Sequence, residues 1–425
     1  MTLCYYLVMI DLQDLRARPD VYKQTLKNKN IALDVDEFLK IDEQRKSLIP
    51  EVEDMRKKQN EVSKDIPNMK GKEKENILKE MKVLSDDLKK KQEALKEVEE
   101  KWNDMQLKLP SIPLDTVPVG KDDSENEEVK KEGKPKKFDF DIKDHTELGE
   151  KLDIIDIPRG VKIAGARSYF LKGNGARLEQ ALLKFALDHL ADKGWTVFSP
   201  PIMVGWDCLM GTGFFPGAEE QTYEVDDNYL IGTSEVSVCS YHKDEILDLK
   251  GLPKKYCGIS PCFRREAGTY GKDTKGLYRV HQFMKVEQVV LCEANQEVAM
   301  GIFEEIRNNA EEVLQALDLP YRVVNVCTGD MGQGKVFMQD IETWMPSRDG
   351  YCETHSCSYL GDFQSRRLNI RYEEDGKKKF VHTLNNTCIA TPRILIPLIE
   401  TYQNKDGSVT IPEALRPYMG GQATL

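Results

Sequence analysis

The chain has 425 residues, 40% hydrophobic, 31% charged and 8% aromatic, with a net charge of −11. That length allows two or three domains with a sizeable core, and the high charge points to a long solvated helical part. A general nucleic-acid binder needs Lys and Arg in excess, so the acidic balance leaves room only for local basic patches.

At the amino end, the apolar run Leu3–Ile10 has neither a basic segment before it nor a cleavage site after it, which argues against a secretory signal. No run of about 18 apolar residues is present to cross a membrane. The ten cysteines are scattered, with no C-x-x-C pair, which fits a reduced cytoplasm better than a disulfide scaffold or a Cys-rich zinc site. A cytoplasmic protein starting at Met1 or Met9 is expected.

Composition changes near Pro110. Before it, Gly71 is the only glycine and aromatics are few. Two heptad runs fill this part: Phe38, Ile41, Leu48, Val52, Met55, Val62 and Ile66, with Arg45 and Gln59 filling the two gaps, then Ile77, Met81, Leu84, Leu88, Leu95, Val98, Trp102, Met105 and Leu109, with Lys91 filling the gap. Spacings of three and four predict two helices, and Pro67–Gly71 between them predicts a turn. The economical arrangement is an antiparallel hairpin whose first helix, of roughly 29 residues, spans about 40 Å. On this pattern alone the hairpin fits a dimerisation coiled coil, a spacer or a projecting arm, and clusters such as Lys89-Lys90-Lys91 fit a solvated face.

Residues Gly120–Lys137 are mixed in charge and rich in turn formers, the composition of a linker or exposed loop. Beyond Phe138 the pattern is globular. Leu178–Lys193 reads as an amphipathic helix capped at Gly194, Trp195–Phe198 as a short strand, and Glu297–Leu317 as a long helix stopped by Pro320. Lys255–Ile259, Gln282–Leu291 and Tyr321–Cys327 read as strands. Strands cluster instead of alternating with helices, so an α+β antiparallel sheet is expected.

Phosphate-loop, dinucleotide and serine-hydrolase signatures are absent from the sequence. Three other blocks carry charge. Cys262–Gly268 and Leu277–Glu287 read as a hairpin with Arg264 and Glu266 on one strand and Arg279 and Glu287 on the other. Phe283 is placed to stack on a planar ring, and Lys272 and Lys275 sit in the connecting loop. The plain alternative is a set of cross-strand salt bridges. Glu353–Ser358 offers hard oxygen donors in Glu353 and Ser356, while His355 and Cys357 match no zinc spacing. Leu384–Arg393 is a small, polar, strand-like stretch that leads into an apolar helix, with Arg393 inside that helix and either snorkelling outward or binding an anion.

Together these blocks resemble the three signature motifs of class II aminoacyl-tRNA synthetases, and the chain resembles the bacterial-type seryl-tRNA synthetases over nearly its full length. The segments that carry the likeness are Tyr229–Glu235, Phe263–Gly268, Gly276–Phe283, Thr328–Gly332, Glu353–Ser358, Leu384–Thr387 and Ala390–Arg393. The resemblance implies a tRNA-binding domain over 1–110, with its arm at about 37–109, and an antiparallel-sheet catalytic domain over 111–425. It also implies a homodimer built largely through Leu178–Pro201. Arg264, Arg393 and Glu353 would be catalytic. ATP would meet Arg264, Arg265, Glu266, Val280, Phe283, Glu353, Thr354, His355, Ser356 and Arg393. Serine would meet Thr233, Ser234, Glu235, Arg264, Glu287, Asn385 and Thr387. Glu353 and Ser356 would hold Mg2+ with ATP, and no zinc is expected. The macromolecular substrate would be tRNA(Ser), with tRNA(Sec) a further candidate. Ser234 stands where Ala is common, which would add a hydroxyl near the substrate, and Arg265 where Ser is common. The resemblance makes Gly120–Lys137 an ordered connection. It leaves two rivals: a synthetase-like binding protein, which would have lost Arg264 or Arg393, and a carrier-protein-charging paralogue, which would lack the arm.

Overall fold

The computed structural model describes residues 9–268 and 276–425, and of Asn68 the backbone alone. Lys272 and Lys275 lie outside the described residues, as does the start of the apolar run at Leu3. The chain divides into two compact units, Met1–Pro110 and Ser111–Leu425.

In the first unit, α1 (Leu12–Ala17) and α2 (Pro19–Asn28) precede the long helices α3 (Val35–Asp65) and α4 (Gly71–Gln106). Asp34 caps α3 by accepting from the amides of Asp36 and Glu37. At 31 and 36 residues, α3 and α4 extend about 46 and 54 Å. Between them Ile66–Asn68 forms a tight turn, and Gly71 adopts φ +64°, a left-handed value that costs glycine little. Pro50 lies inside α3, at the cost of one helical hydrogen bond. The helices run antiparallel: Arg45 pairs with Glu99, and Glu51 with Lys91.

The hairpin is well packed only near its root. There Phe38 stacks on Trp102 with ring centroids 6.0 Å apart, and the Arg45 guanidinium lies 4.5 Å from the Trp102 ring. Buried Asp42 accepts from Trp102 Nε1 at 3.1 Å and forms a two-pronged ion pair with Arg16. Among the described residues, Val52 and Leu88 are the last buried ones toward the turn, and Leu78 and Val83 are exposed.

The second unit is built on an eight-stranded sheet. Its strands are β1 (Glu127–Glu132), β2 (Thr196–Phe198), β3 (Lys254–Phe263), β4 (Gln282–Cys292), β5 (Tyr321–Asn325), β6 (Phe337–Met345), β7 (Gly350–Gly361) and β8 (His382–Thr391). Their order is β1-β5-β6-β7-β8-β4-β3-β2. Every pairing is antiparallel except the edge pair β2–β3. The sequence reading missed β6 and β7, whose polar residues hide the strand signal, and took β8 for a small, polar, strand-like stretch, which it is. It also took Gly120–Lys137 for a linker on composition. Instead this segment supplies β1, where charge suits an edge strand with one solvated flank, and Lys130 forms an ion pair with buried Glu311 at 2.6 Å.

Two helices, α5 (Asn174–Asp192) and α6 (Gln296–Ala316), cover one face of the sheet. Leu178, Leu182 and Ala186 of α5 share a core with Phe303, Ile306 and Val313 of α6 and with Val286, Val290, Leu384 and Cys388 of the sheet. Gln288 and Asn386 both donate to the Ile306 carbonyl, which ties α6 to the two central strands. Since side chains alternate along a strand, Glu287 and Thr387 point to the opposite face. Among the described residues no helix is long and apolar enough to cross a membrane.

Candidate active site

On the face away from α5 and α6 lies a cavity of about 380 Å³. Strand alternation supplies much of its floor: Phe283, Lys285 and Glu287 project from β4, and Asn385 and Thr387 from β8. Two register shifts then break the alternation. Thr354 is the extra residue where β7 pairs with β6, and Cys388 where β8 pairs with β4. In a regular strand Glu353 and Ser356 would face opposite ways. The bulge at Thr354 turns both to the cavity, and the bulge at Cys388 does the same for Thr387 and Ala390.

At one end of the cavity the groups are buried and tightly paired. Lys285 forms an ion pair with Glu287 at 2.5 Å, and both side chains are buried. Thr387 Oγ1 donates toward Glu287 at 3.4 Å. Glu235 accepts from Asn385 at 2.9 Å and from Gln364 at 2.7 Å. Burial raises the Glu235 pKa above the usual carboxylate value, and the charge on Glu287 raises it further. Thr233 completes this end.

The other end is aromatic and cationic. Arg264 follows the last residue of β3, its Nε donating to the Gly232 carbonyl at 3.3 Å. Its guanidinium lies 5.2 Å from the Phe283 ring. Arg279 pairs with Glu266 at 3.3 Å. Arg264, Glu266 and Arg279 therefore lie beyond the strand ends, not on the sheet face as the hairpin reading had them. Arg393 lies in the turn between β8 and α7 (Leu395–Thr401), not inside the helix. It donates to the Tyr278 carbonyl at 3.3 Å and sits 3.6 Å from the Glu353 carboxylate.

The cavity thus gathers Thr233, Glu235, Arg264, Glu266, Val280, Phe283, Glu287, Glu353, Thr354, Ser356, Asn385, Thr387 and Arg393. Three expected residues are not among those lining it. Ser234 is fully buried and donates to the Gly258 carbonyl at 3.2 Å, so its hydroxyl faces β3 and not the substrate side. The Arg265 guanidinium lies 6.0 Å from the Tyr223 ring. His355 is buried against Thr354, and burial holds its pKa down to about 4. The sequence reading omitted Lys285, Tyr278 and Lys335 from the site, although all three line it. Lys285 could have been found, because it stands two residues from Glu287 and so shares its face of the strand.

Residues 9–113 match the seryl-tRNA synthetase N-terminal domain family, and residues 220–402 the tRNA synthetase class II core domain (G, H, P, S and T). The serine–tRNA ligase of Deinococcus radiodurans is 47% identical over 420 residues, covering 98% of this chain and 99% of that protein. The serine–tRNA ligase of Carboxydothermus hydrogenoformans is 46% identical over 419 residues, covering 97% and 98%. Among solved structures, seryl-tRNA synthetase from Pyrococcus horikoshii complexed with ATP superposes with a TM-score of 0.87 at 37% identity, covering 98% of this chain and 99% of that one. The cytoplasmic serine–tRNA ligase of Naegleria fowleri in complex with AMP gives 0.84 at 30% identity, covering 98% and 97%.

Proposed function

The chain belongs to the seryl-tRNA synthetase family of class II aminoacyl-tRNA synthetases, and we propose that its cavity makes seryl-adenylate from L-serine and ATP and passes the seryl group to tRNA(Ser), with tRNA(Sec) as a further acceptor. One observation carries this reading. A single cavity joins a buried carboxylate and hydroxyl end, suited to an amino acid, to an arginine and phenylalanine end, suited to a nucleotide triphosphate.

In the first step a serine carboxylate oxygen attacks the α-phosphorus and pyrophosphate leaves. In the second a terminal ribose hydroxyl of the tRNA attacks the acyl carbon and AMP leaves. The nucleophile belongs to a substrate each time, so the protein positions groups and stabilises charge. Arg264 meets the α-phosphate and Arg393 the γ-phosphate. Phe283 stacks on adenine, Glu266 accepts from its amino group, and Val280 contributes backbone. Glu235 and Thr233 take the serine ammonium, with Asn385 orienting Glu235. Glu287 and Thr387 read the serine hydroxyl.

The donor set also fits a divalent cation. Glu353 and Ser356 both line the cavity and present hard oxygens on one face. These are the residues that would hold Mg2+, which when bound neutralises phosphate charge.

For the arm we adopt the tRNA-binding role. Between Lys57 and Val83 there are eight lysines against five Asp and Glu, in a chain of net charge −11. That excess of cations at the hairpin tip suits a phosphate backbone. Residues 1–110 are then the tRNA-binding domain and 111–425 the catalytic one. A homodimer through α5 and β2 accords with the exposed Val197 on the edge strand. The nine described cysteines form no disulfide, in keeping with a cytoplasmic site.

The test is serine-dependent ATP–pyrophosphate exchange, followed by charging of purified tRNA(Ser). Removing one preorganised donor costs about 2.7–4 kcal/mol, so Arg264→Ala should lose about 100- to 1000-fold in exchange with the fold intact. Near-normal exchange in that variant would overturn the phosphate assignment.

A further inference from the structure

The cavity wall Leu277–Val280 is held from behind by a buried pair that the reaction itself does not use. His145 opens a helix over His145–Lys151 and is buried. Its Nε2 accepts the backbone N–H of Leu277 at 3.2 Å. A nitrogen that accepts carries no proton, so the proton resides on Nδ1. Nδ1 lies 2.8 Å from Glu400 Oε1, the acceptor that fixes this tautomer.

Glu400 is fully buried and anchors more than the imidazole. It also accepts from the His145 amide at 3.0 Å and from the Ser347 amide and hydroxyl, both at 2.9 Å. Ser347 precedes Arg348, whose guanidinium lies 4.2 Å from the Tyr278 ring, while Arg393 lies 4.5 Å from the same ring. One carboxylate on α7 therefore reaches both the backbone before Tyr278 and the turn that supplies a cation to its ring. Gly276 closes the contact from the other side: it has φ +79°, and a Cβ there would stand 2.2 Å from His145 Nε2. No side chain fits between the imidazole and this stretch of backbone.

We propose that His145, oriented by Glu400, is a positioning residue for the nucleotide end of the cavity: its Nε2 sets where Leu277–Val280 runs, and hence where Tyr278 meets Arg393. The inference rests on the proposed function, because it takes that end to hold ATP. It assigns no contact between His145 and substrate.

Two substitutions separate the acceptor from the donor. His145→Asn keeps a donor near the Nδ1 position but does not reach Leu277. His145→Gln places an amide oxygen near the Nε2 position and keeps the acceptor. In the full chain, His145→Asn should raise the ATP KM in pyrophosphate exchange about tenfold, the effect of one lost buried hydrogen bond. The serine KM should stay within about twofold, and His145→Gln should recover most of the ATP KM. Equal ATP KM values in the two variants, or ATP and serine KM values rising together, would overturn the proposal. If neither variant folds, Gly276→Ala tests the same contact by pushing Leu277 off the imidazole. It should show the same rise confined to ATP, and an unchanged ATP KM would refute the idea. Absence of serine-dependent exchange in the unsubstituted protein would refute the proposed function instead.

Discussion

The hairpin and the catalytic unit are stabilised in different ways, and the difference follows from how far along the chain their contacts reach. In the hairpin, α3 and α4 meet through a narrow seam whose burial stops at Val52 and Leu88. Its outer half holds its shape largely by helix propensity, which contributes little per residue. In the catalytic unit, strands from residue 127 to 391 form one sheet, and the cavity draws lining residues from four of them, β4, β6, β7 and β8. A segment that needs few contacts can extend far into solvent and carry charge. A cavity with Lys285 and Glu287 buried and Glu235 half-buried beside them needs a rigid surround, because unpaired charge there is costly.

The sharpest way to break the comparison is to shorten the hairpin. Replacing Lys57–Val83 with a short Gly-rich turn keeps Phe38, Asp42, Val52, Leu88 and Trp102 in place. Serine-dependent exchange should be unchanged, whereas charging of tRNA(Ser) should be lost and tRNA binding should shed most of its salt dependence. Normal charging by the shortened protein would make the outer arm a spacer.

Next in size is the contrast between root and tip. Trp102→Ala removes a fully buried ring and the donor to buried Asp42, and should cost about 3–5 kcal/mol. Val83→Ala, at an exposed position, should stay within about 0.5 kcal/mol. Denaturant titration followed by helical circular dichroism measures both, and similar losses would show a seam packed evenly to its end.

In the cavity, Thr387→Ala tests whether the pair with Glu287 reads a hydroxyl. The serine KM should rise about tenfold, and the preference for serine over alanine should shrink, since a lost polar partner is felt only by the substrate that used it. Exchange measured with both amino acids gives the ratio, and an unchanged ratio removes Thr387 from that role.

The smallest effect is a pH dependence. Burial, with help from Glu287, raises the Glu235 pKa, so Glu235 takes up a proton at a higher pH than a solvated glutamate. A neutral Glu235 no longer attracts an ammonium group, so the serine KM should climb on acidification over a range above the one in which a solvated glutamate takes up its proton. In Glu235→Gln it should be high and flat. A wild-type serine KM that is level across this range would show that Glu235 does not meet the ammonium group.

Periodicity alone sufficed for the hairpin, for α5 and α6, and for β2 to β5, because each is either regular over many residues or apolar on its buried face. It failed for β1, β6 and β7, and marked β8 only as a strand-like stretch. Charge on β1 mimics a loop, and the polar cavity residues of β7 and β8 interrupt the apolar alternation by which strands are recognised.

By itself the sequence determined which residue types are present, in what order, and that a long hairpin precedes an antiparallel α+β unit. It did not determine which side chains face the cavity. Glu353 joins Ser356 because Thr354 is left over where β7 pairs with β6, and Thr387 joins Ala390 because Cys388 is left over against β4. Ser234, adjacent to two cavity residues, turns toward Gly258. Lys285 reaches Glu287 and Gln364 reaches Glu235 only inside the assembled unit. The reason is geometric. Facing in a strand alternates with period two, so one extra residue reverses every later side chain, and whether a residue is extra depends on its partner strand.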